Sequence, residues 1–242
     1  MENIEQNELN QEEVVVYDTE TTDLPDWKNK SDGENQPHLV SLTAIRCNKE
    51  TGEEIQRISL IVASEGWEST EKAFERHRIT KEYSQKVGLP EAFIVQTFLD
   101  LCRGCSTVAQ NWYFDYRMIR IQLKRYGFSQ DVIDGWKDKT HECTMKMAKP
   151  IMELPPFNKR WGWKNPNLTE AYKYFTGKDL GEEAHNSRFD AEACREIYFA
   201  IRKLEKKSVV DAEFDDLKTE TANFKHDPLP DPDLETDDGI EF

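Results

Sequence analysis

An apolar run, Val14 to Tyr17, ends in Asp18-Thr19-Glu20-Thr21. On a strand, residues two apart point to the same face, so Asp18 and Glu20 form a pair of side-by-side carboxylates. Such hard oxygen donors suit Mg²⁺ or Mn²⁺. A solvated acidic turn would look the same, since exposed acids are common. Asp115 stands in Asn111-Trp-Tyr-Phe-Asp115, at the start of a helical pattern, where an Asp also serves as a cap. Asp190 stands early in the last helical pattern, five residues after His185. A lone histidine there is ordinarily a surface or core residue. Each signal is weak alone.

The elements that must position these groups follow from periodicity. VVVYD reads as a buried strand. Asp23 to Pro37 is polar and reads as a loop. LVSLTAIRCN and EIQRISLIV, around KETGE, read as a hairpin. From Ser69 the pattern turns helical: STEKAFERHR with Ser69 as candidate cap, then a helix from Pro90-Glu91 with Gly104 just past its end. STVAQ reads as a short strand. FDYRMIRIQLKRYG reads as an amphipathic helix beginning about Asp115, with Met118, Ile119, Ile121 and Leu123 inward. TMKMAKPI, NLTEAYKYFTG (Asn167 as cap, Gly177 past the end) and SRFDAEACREIYFAIRKLEKK are three more helices. Strands first, then strands alternating with helices, indicate an α/β chain with a mixed sheet.

Length and composition set the limits. The 242 residues suffice for one sizeable domain. No apolar run spans a membrane, and the acidic N-terminus has no signal-peptide pattern, so a cytoplasmic location is expected. Five scattered cysteines make no disulfide framework, and the Cys102-x-x-Cys105 pair lacks two further zinc ligands. The net charge of −15 is confined to the ends. Residues 1–13 hold five acids and no base, and residues 208–242 hold twelve acids against two lysines. Residues 14–207 balance at 30 acids and 30 bases. Overall acidity therefore does not exclude a nucleic-acid substrate. The domain reading is an acidic extension over 1–13, a folded body over 14–207, and a flexible acidic tail over 208–242.

Taken together, DTET, QNWYFD and HNSRFD resemble the DEDDh exonucleases. This is the DnaQ-like family that includes the proofreading exonuclease subunit of bacterial DNA polymerase III and oligoribonuclease. Asp18, Glu20, Asn111, Phe114, Asp115, His185 and Asp190 match its motifs in order. HRIT at 77–80 resembles an HGIT-type segment, with Arg78 where Gly is common. NLTEAYKYFTGKDL resembles the segment before the last motif. Gln110 replaces a frequent His, and Trp112 and Tyr113 replace small residues, which narrows the pocket or adds a stacking surface. The likeness covers roughly residues 14–205.

The resemblance implies a ribonuclease H-like fold, a mixed sheet flanked by helices. It implies a 3′→5′ exonuclease that uses two Mg²⁺ or Mn²⁺ ions and releases nucleoside 5′-monophosphates. Asp18, Glu20, Asp115 and Asp190 would hold the metals, with His185 and Glu20 catalytic and His185 the general base. Thr21 and Asn111 would meet the terminal nucleotide. The expected partner is a single-stranded 3′ end, DNA favoured, with an exoribonuclease or an inactive nucleic-acid-binding scaffold as alternatives. Lys159, Arg160, Trp161, Trp163 and Lys164 form a basic, tryptophan-rich stretch that suits phosphates and unpaired bases, or a loop pinned by its aromatics. The chain ends in acids, Ile240, Glu241 and Phe242. That tip is similar to the tails of bacterial single-stranded-DNA-binding proteins and suggests a protein partner; a solubilising tail is the alternative.

Overall fold

A computed structural model describes residues 13–156, 162–181 and 186–223, with 208–223 followed by backbone alone. The strands are β1 Glu13–Thr21, β2 Leu39–Asn48, β3 Glu54–Ile61, β4 Ser106–Ala109 and β5 His141–Cys143. They form one sheet in the order β3-β2-β1-β4-β5. β2 runs antiparallel to β1 and β3, whereas β4 and β5 run parallel to their neighbours. The helices among the described residues are α1 Glu71–His77, α2 Lys81–Val87, α3 Glu91–Leu101, α4 Trp112–Arg125, α5 Gln130–Asp138, α6 Thr144–Met152, α7 Leu168–Thr176 and α8 Ser187–Asn223. The expected mixed sheet with flanking helices is present.

β1 is central, and Val14 to Tyr17 are fully buried. Burial of successive residues requires cover on both faces of the sheet. Val15 and Tyr17 join Leu42 and Ala44 of β2 in a core closed by α3, α4 and α5, including Phe98, Met118, Ile119 and Trp136. Val14 and Val16 join Ile45, Cys47 and Val108 against Ala191, Cys194 and Tyr198 of α8. Ala148 of α6, Ala171 of α7 and Ile197 of α8 form a third cluster.

Met118, Ile119, Ile121 and Leu123 are fully buried, as the periodicity requires. Asn167 and Glu170 make a reciprocal capping box at α7, and Gly177 closes it in the left-handed region. Four local details differ from the sequence reading. The α1 cap is Thr70, whose hydroxyl accepts from Ala73 N; the Ser69 hydroxyl is taken by His77 Nε2 at 3.0 Å. α4 starts at Trp112, so Asp115 lies inside its first turn and Asn111 holds the cap position. α3 stops at Leu101, and the chain turns through Cys102 to Cys105 before β4. α2, α5 and β5 are additional elements that the sequence reading left out.

The described residues up to Arg202 form one compact body, and those from Lys203 to Asn223 form a second unit. α8 runs to Asn223, so the acidic segment after Lys207 begins as helical backbone. The acidic extension before Glu13 and the tip that ends in Phe242 lie outside the described residues. No described helix is long and apolar enough to cross a membrane. All five cysteines are buried and unpaired by disulfides.

Arg78 ends α1 with φ 55° and ψ 18°. An L-residue in that region costs about 1–2 kcal/mol, and glycine gives back about 0.5–1 through its flexible unfolded state. Arg78→Gly should therefore stabilise the fold by about 0.5–1 kcal/mol. Urea unfolding of the two proteins checks this; a lower midpoint for the glycine variant would contradict it.

Candidate active site

The site lies where β1 ends. Asp18 and Glu20 share parity with Val14 and Val16 and so face α8, while Thr19 shares parity with Val15 and Tyr17 and faces α4. The register pairs Asp18 with Thr43 and Glu20 with Ser41 across β2. The Ser187 hydroxyl, at the first residue of α8, lies 2.9 Å from Ser41 Oγ and 3.1 Å from Thr43 Oγ1. This hydroxyl seam seats α8 on the residues beside the two acids. Asp190, one turn further along, is thereby brought to them. Ligand oxygens of Asp18, Glu20 and Asp190 lie within 4.8 Å of one another.

Asp115 arrives from the other face. Its Oδ1 accepts from the Thr19 backbone N at 3.1 Å and from Thr19 Oγ1 at 2.7 Å. Thr19, between the two acids, thus fixes Asp115 at the edge of their cluster. One cavity of about 440 Å³ is lined by all four carboxylates together with Thr21, Asn111 and Phe114. That is the size range of pockets for small ligands.

The electrostatics match this crowding. Burial raises Asp18 well above the usual carboxylate range, and the charges of Asp115, Asp190 and Glu20 raise it further. Burial and then the Asp190 and Asp115 charges lift Glu20 to about 8, against a lowering by Arg76. Asp115 rises to about 7 through burial, although the Thr19 bonds pull it down. Such an oxygen cluster fits hard divalent cations: their charge would offset the repulsion, and carboxylate oxygens are their preferred donors. Asp18, Glu20 and Asp190 are the residues that could hold them, with Asp115 alongside.

The other expected site residues fall as follows. Thr21 lines the cavity with its hydroxyl donated to Asp23 O at 2.8 Å, leaving lone pairs for a ligand. Asn111 lines it with no side-chain cap bond of its own. His185 lies outside the described residues, as do Lys159, Arg160 and Trp161. Lys164 is engaged by Glu170, and Trp163 is exposed. Neither Trp112 nor Tyr113 lines the cavity. Trp112 stacks on His141 at 5.3 Å, whereas the exposed Tyr113 stacks on Trp27 at 5.2 Å and so offers a stacking surface. Gln110 lines the cavity while accepting from the Thr144 hydroxyl at 2.6 Å. Sequence reading missed Lys72, Ala73 and Arg76 of α1, Leu24, and the roles of Thr19 and Ser187. The spacing of Lys72 and Arg76, one helical turn apart, was the available signal for a shared face.

A carboxyl whose folded pKa is raised above its unfolded value stabilises the fold while protonated and loses that contribution as pH climbs through the folded pKa. In EDTA, melting temperature should therefore fall as pH rises from about 5 to beyond the values near 7 and 8 for Asp115 and Glu20. Saturating Mn²⁺ at about 100 times its Kd should restore about 2.7 kcal/mol. Asp18→Asn should melt higher than the parent in EDTA at pH 8 and gain little from Mn²⁺. A melting temperature in EDTA that is flat with pH and indifferent to Mn²⁺ would contradict the charge-crowding account.

Among solved structures, the fold is similar to that of Escherichia coli exonuclease I in complex with a dT13 oligonucleotide. The TM-score is 0.64 at 16% identity, over 84% of this chain and 44% of that one. It is also similar to a product-bound exonuclease I (TM-score 0.61, 15% identity, 80% of this chain and 44% of that one). A third likeness is to a 3′-exonuclease described in 3′-end-specific recognition of histone mRNA stem-loop (TM-score 0.59, 14% identity, 81% and 83%). The chain thus spans less than half the length of the exonuclease I chains it resembles, and at these identities the likeness shows a shared ribonuclease H-like fold. No curated protein sequence matches the chain significantly. The RNase_T exonuclease family model matches residues 15–198, more than half of the sequence, and the chain belongs to that DnaQ-like exonuclease family.

Proposed function

We propose that the protein is a DEDDh-type 3′→5′ exonuclease that trims single-stranded DNA ends and releases nucleoside 5′-monophosphates. The observation that carries this reading is the convergence of Asp18, Glu20 and Asp190 within 4.8 Å, with Asp115 tied in through Thr19. Two Mg²⁺ or Mn²⁺ ions held there would lower the pKa of water and neutralise charge at the phosphate. His185 takes the proton from the attacking water; a free imidazole, with a pKa of about 6.5, suits that task near neutral pH. Phosphorus gains the water oxygen, and its bond to the 3′ oxygen of the preceding nucleotide breaks. Thr21 and Asn111 hold the departing nucleotide. The exposed Trp27–Tyr113 stack, flanked by Arg117 5.7 Å from the Trp27 ring centre, favours unpaired bases beside the cavity. The likeness to a histone-mRNA 3′-exonuclease favours RNA as the second reading.

Asp18→Ala or Asp190→Ala should abolish cleavage of single-stranded oligonucleotides, and EDTA should do the same. Oligonucleotides labelled at the 3′ or 5′ end, as DNA and as RNA, decide polarity and sugar together. Label released first from the 5′ end, internal fragments, or full activity of Asp18→Ala in EDTA would refute the reading.

His185→Ala should lower kcat by about 10²–10⁴ while leaving oligonucleotide affinity largely intact. Lost affinity with unchanged turnover would remove His185 from the role of base.

A further inference from the structure

Lys72 and Arg76 of α1 stand on the rim of the carboxylate cavity, and Ala73 lines it between them. Positions i, i+1 and i+4 lie on one side of a helix, so both bases and the small residue present a single surface to the cavity. Both cations are exposed, and among the described residues neither has a hydrogen-bond or ion-pair partner. Several other cations around this end of the sheet are committed. Arg117 donates to the carbonyls of Asp26 and Asn29, Arg125 to those of Gln36 and Pro37, Lys124 pairs with Asp32 and Lys81 with Glu68. Those hold the loop after β1 and the approach to α2 in place. Among the described residues Lys72 and Arg76 tie down no other part of the chain, yet Arg76 is near enough to Glu20 for its charge to act on that carboxylate.

Charge balance indicates what the two bases are for. Asp18, Glu20, Asp23, Asp115 and Asp190 line the cavity with Lys72 and Arg76. Two divalent cations and one phosphodiester would bring that set to neutrality; without the bases, the substrate would enter a site with excess negative charge. A guanidinium and an ammonium one turn apart suit the free oxygens of a phosphate. Ala73 leaves room for it to approach.

We infer that Lys72 and Arg76 form a clamp for a phosphate of the strand's terminal nucleotide, on the wall facing the carboxylates. The inference rests on the exonuclease reading and adds to it the residues that hold the substrate's charge. Two sources share this chemistry: the phosphodiester to be cut, and a phosphate at the 3′ terminus itself.

The test compares the parent protein with Lys72→Gln/Arg76→Gln, and with Arg76→Lys as the conservative control. The probes are 5′-fluorescein oligothymidylates ending in 3′-hydroxyl or 3′-phosphate. Affinity is read by anisotropy in Ca²⁺ over a series of salt concentrations, and cleavage is read in Mg²⁺. The double variant should bind at least about tenfold more weakly. Its plot of log K against log salt should be shallower by about 0.7 for each lost phosphate contact. KM should rise more than kcat falls, and Arg76→Lys should recover part of the loss. Equal losses on both strands place the clamp on the phosphodiester; a loss confined to the 3′-phosphate strand places it on the terminal phosphate. Unchanged affinity and salt slope on both strands, with melting temperature preserved, overturn the clamp even where the parent cleaves normally. A parent that binds but never cleaves refutes the exonuclease reading alone, because the affinity comparison still decides the clamp.

Discussion

Mutual repulsion among crowded carboxylates at the end of β1, two half-buried and two buried, is the constraint around which this domain is arranged. Asp18, Glu20 and Asp190 offer oxygens within 4.8 Å of one another, and burial adds to the cost of their ionisation. A fold can keep such a cluster only if other contacts hold it together. Here that support is a central strand covered on both faces, with Val14 to Tyr17 fully enclosed directly before the first acid.

Strand parity divides the work. One face of β1 carries the two acids toward α8, and the opposite face carries Thr19 toward α4. The Ser41–Ser187–Thr43 hydroxyl seam then sets where α8 begins relative to the strand. A shift of one residue in the β1–β2 register would turn both acids away from α8 and break the seam. Site and core thus share one register, and a sequence cannot specify the apolar half without fixing the carboxylates.

Much of this was legible in the residues. The apolar run before Asp18 announced a buried strand, the amphipathic spacing of Met118 to Leu123 announced α4, and Asn167 with Gly177 bracketed α7. The motif acids came together in one cavity. What stayed illegible was short or non-local. The three-residue β5 and seven-residue α2 have no period to read. Thr70 displaced Ser69 as cap because His77, eight residues away in sequence, claims the Ser69 hydroxyl. Ser187 and Thr19 look like ordinary polar residues until the sheet places their partners beside them. The strained Arg78 is the opposite case: a departure from a common glycine marked a left-handed position that the backbone adopts.

A second buried carboxylate shows what the first cluster lacks. Glu91 is as enclosed as any group in the core, yet it accepts from Leu39 N at 2.6 Å and from the Tyr126 hydroxyl at 2.8 Å, with His38 Nδ1 at 2.7 Å. Its charge is met by donors that tie the start of β2, α3 and the end of α4 into one joint, and this is the ordinary way to bury an acid. Among the described residues, the side chains of Asp18 and Glu20 accept no comparable hydrogen bonds. The same sheet therefore holds one acid satisfied by protein donors and two whose oxygens face a cavity beside a third and a fourth. Structural economy accounts for Glu91. It does not account for Asp18 and Glu20 standing side by side, with no comparable donor among the described residues, next to two further acids, because a polar neighbour would relieve that cost within the fold. Charge of the opposite sign arriving from outside would offset that repulsion, and on that ground we propose that the end of β1 is a binding site rather than a joint.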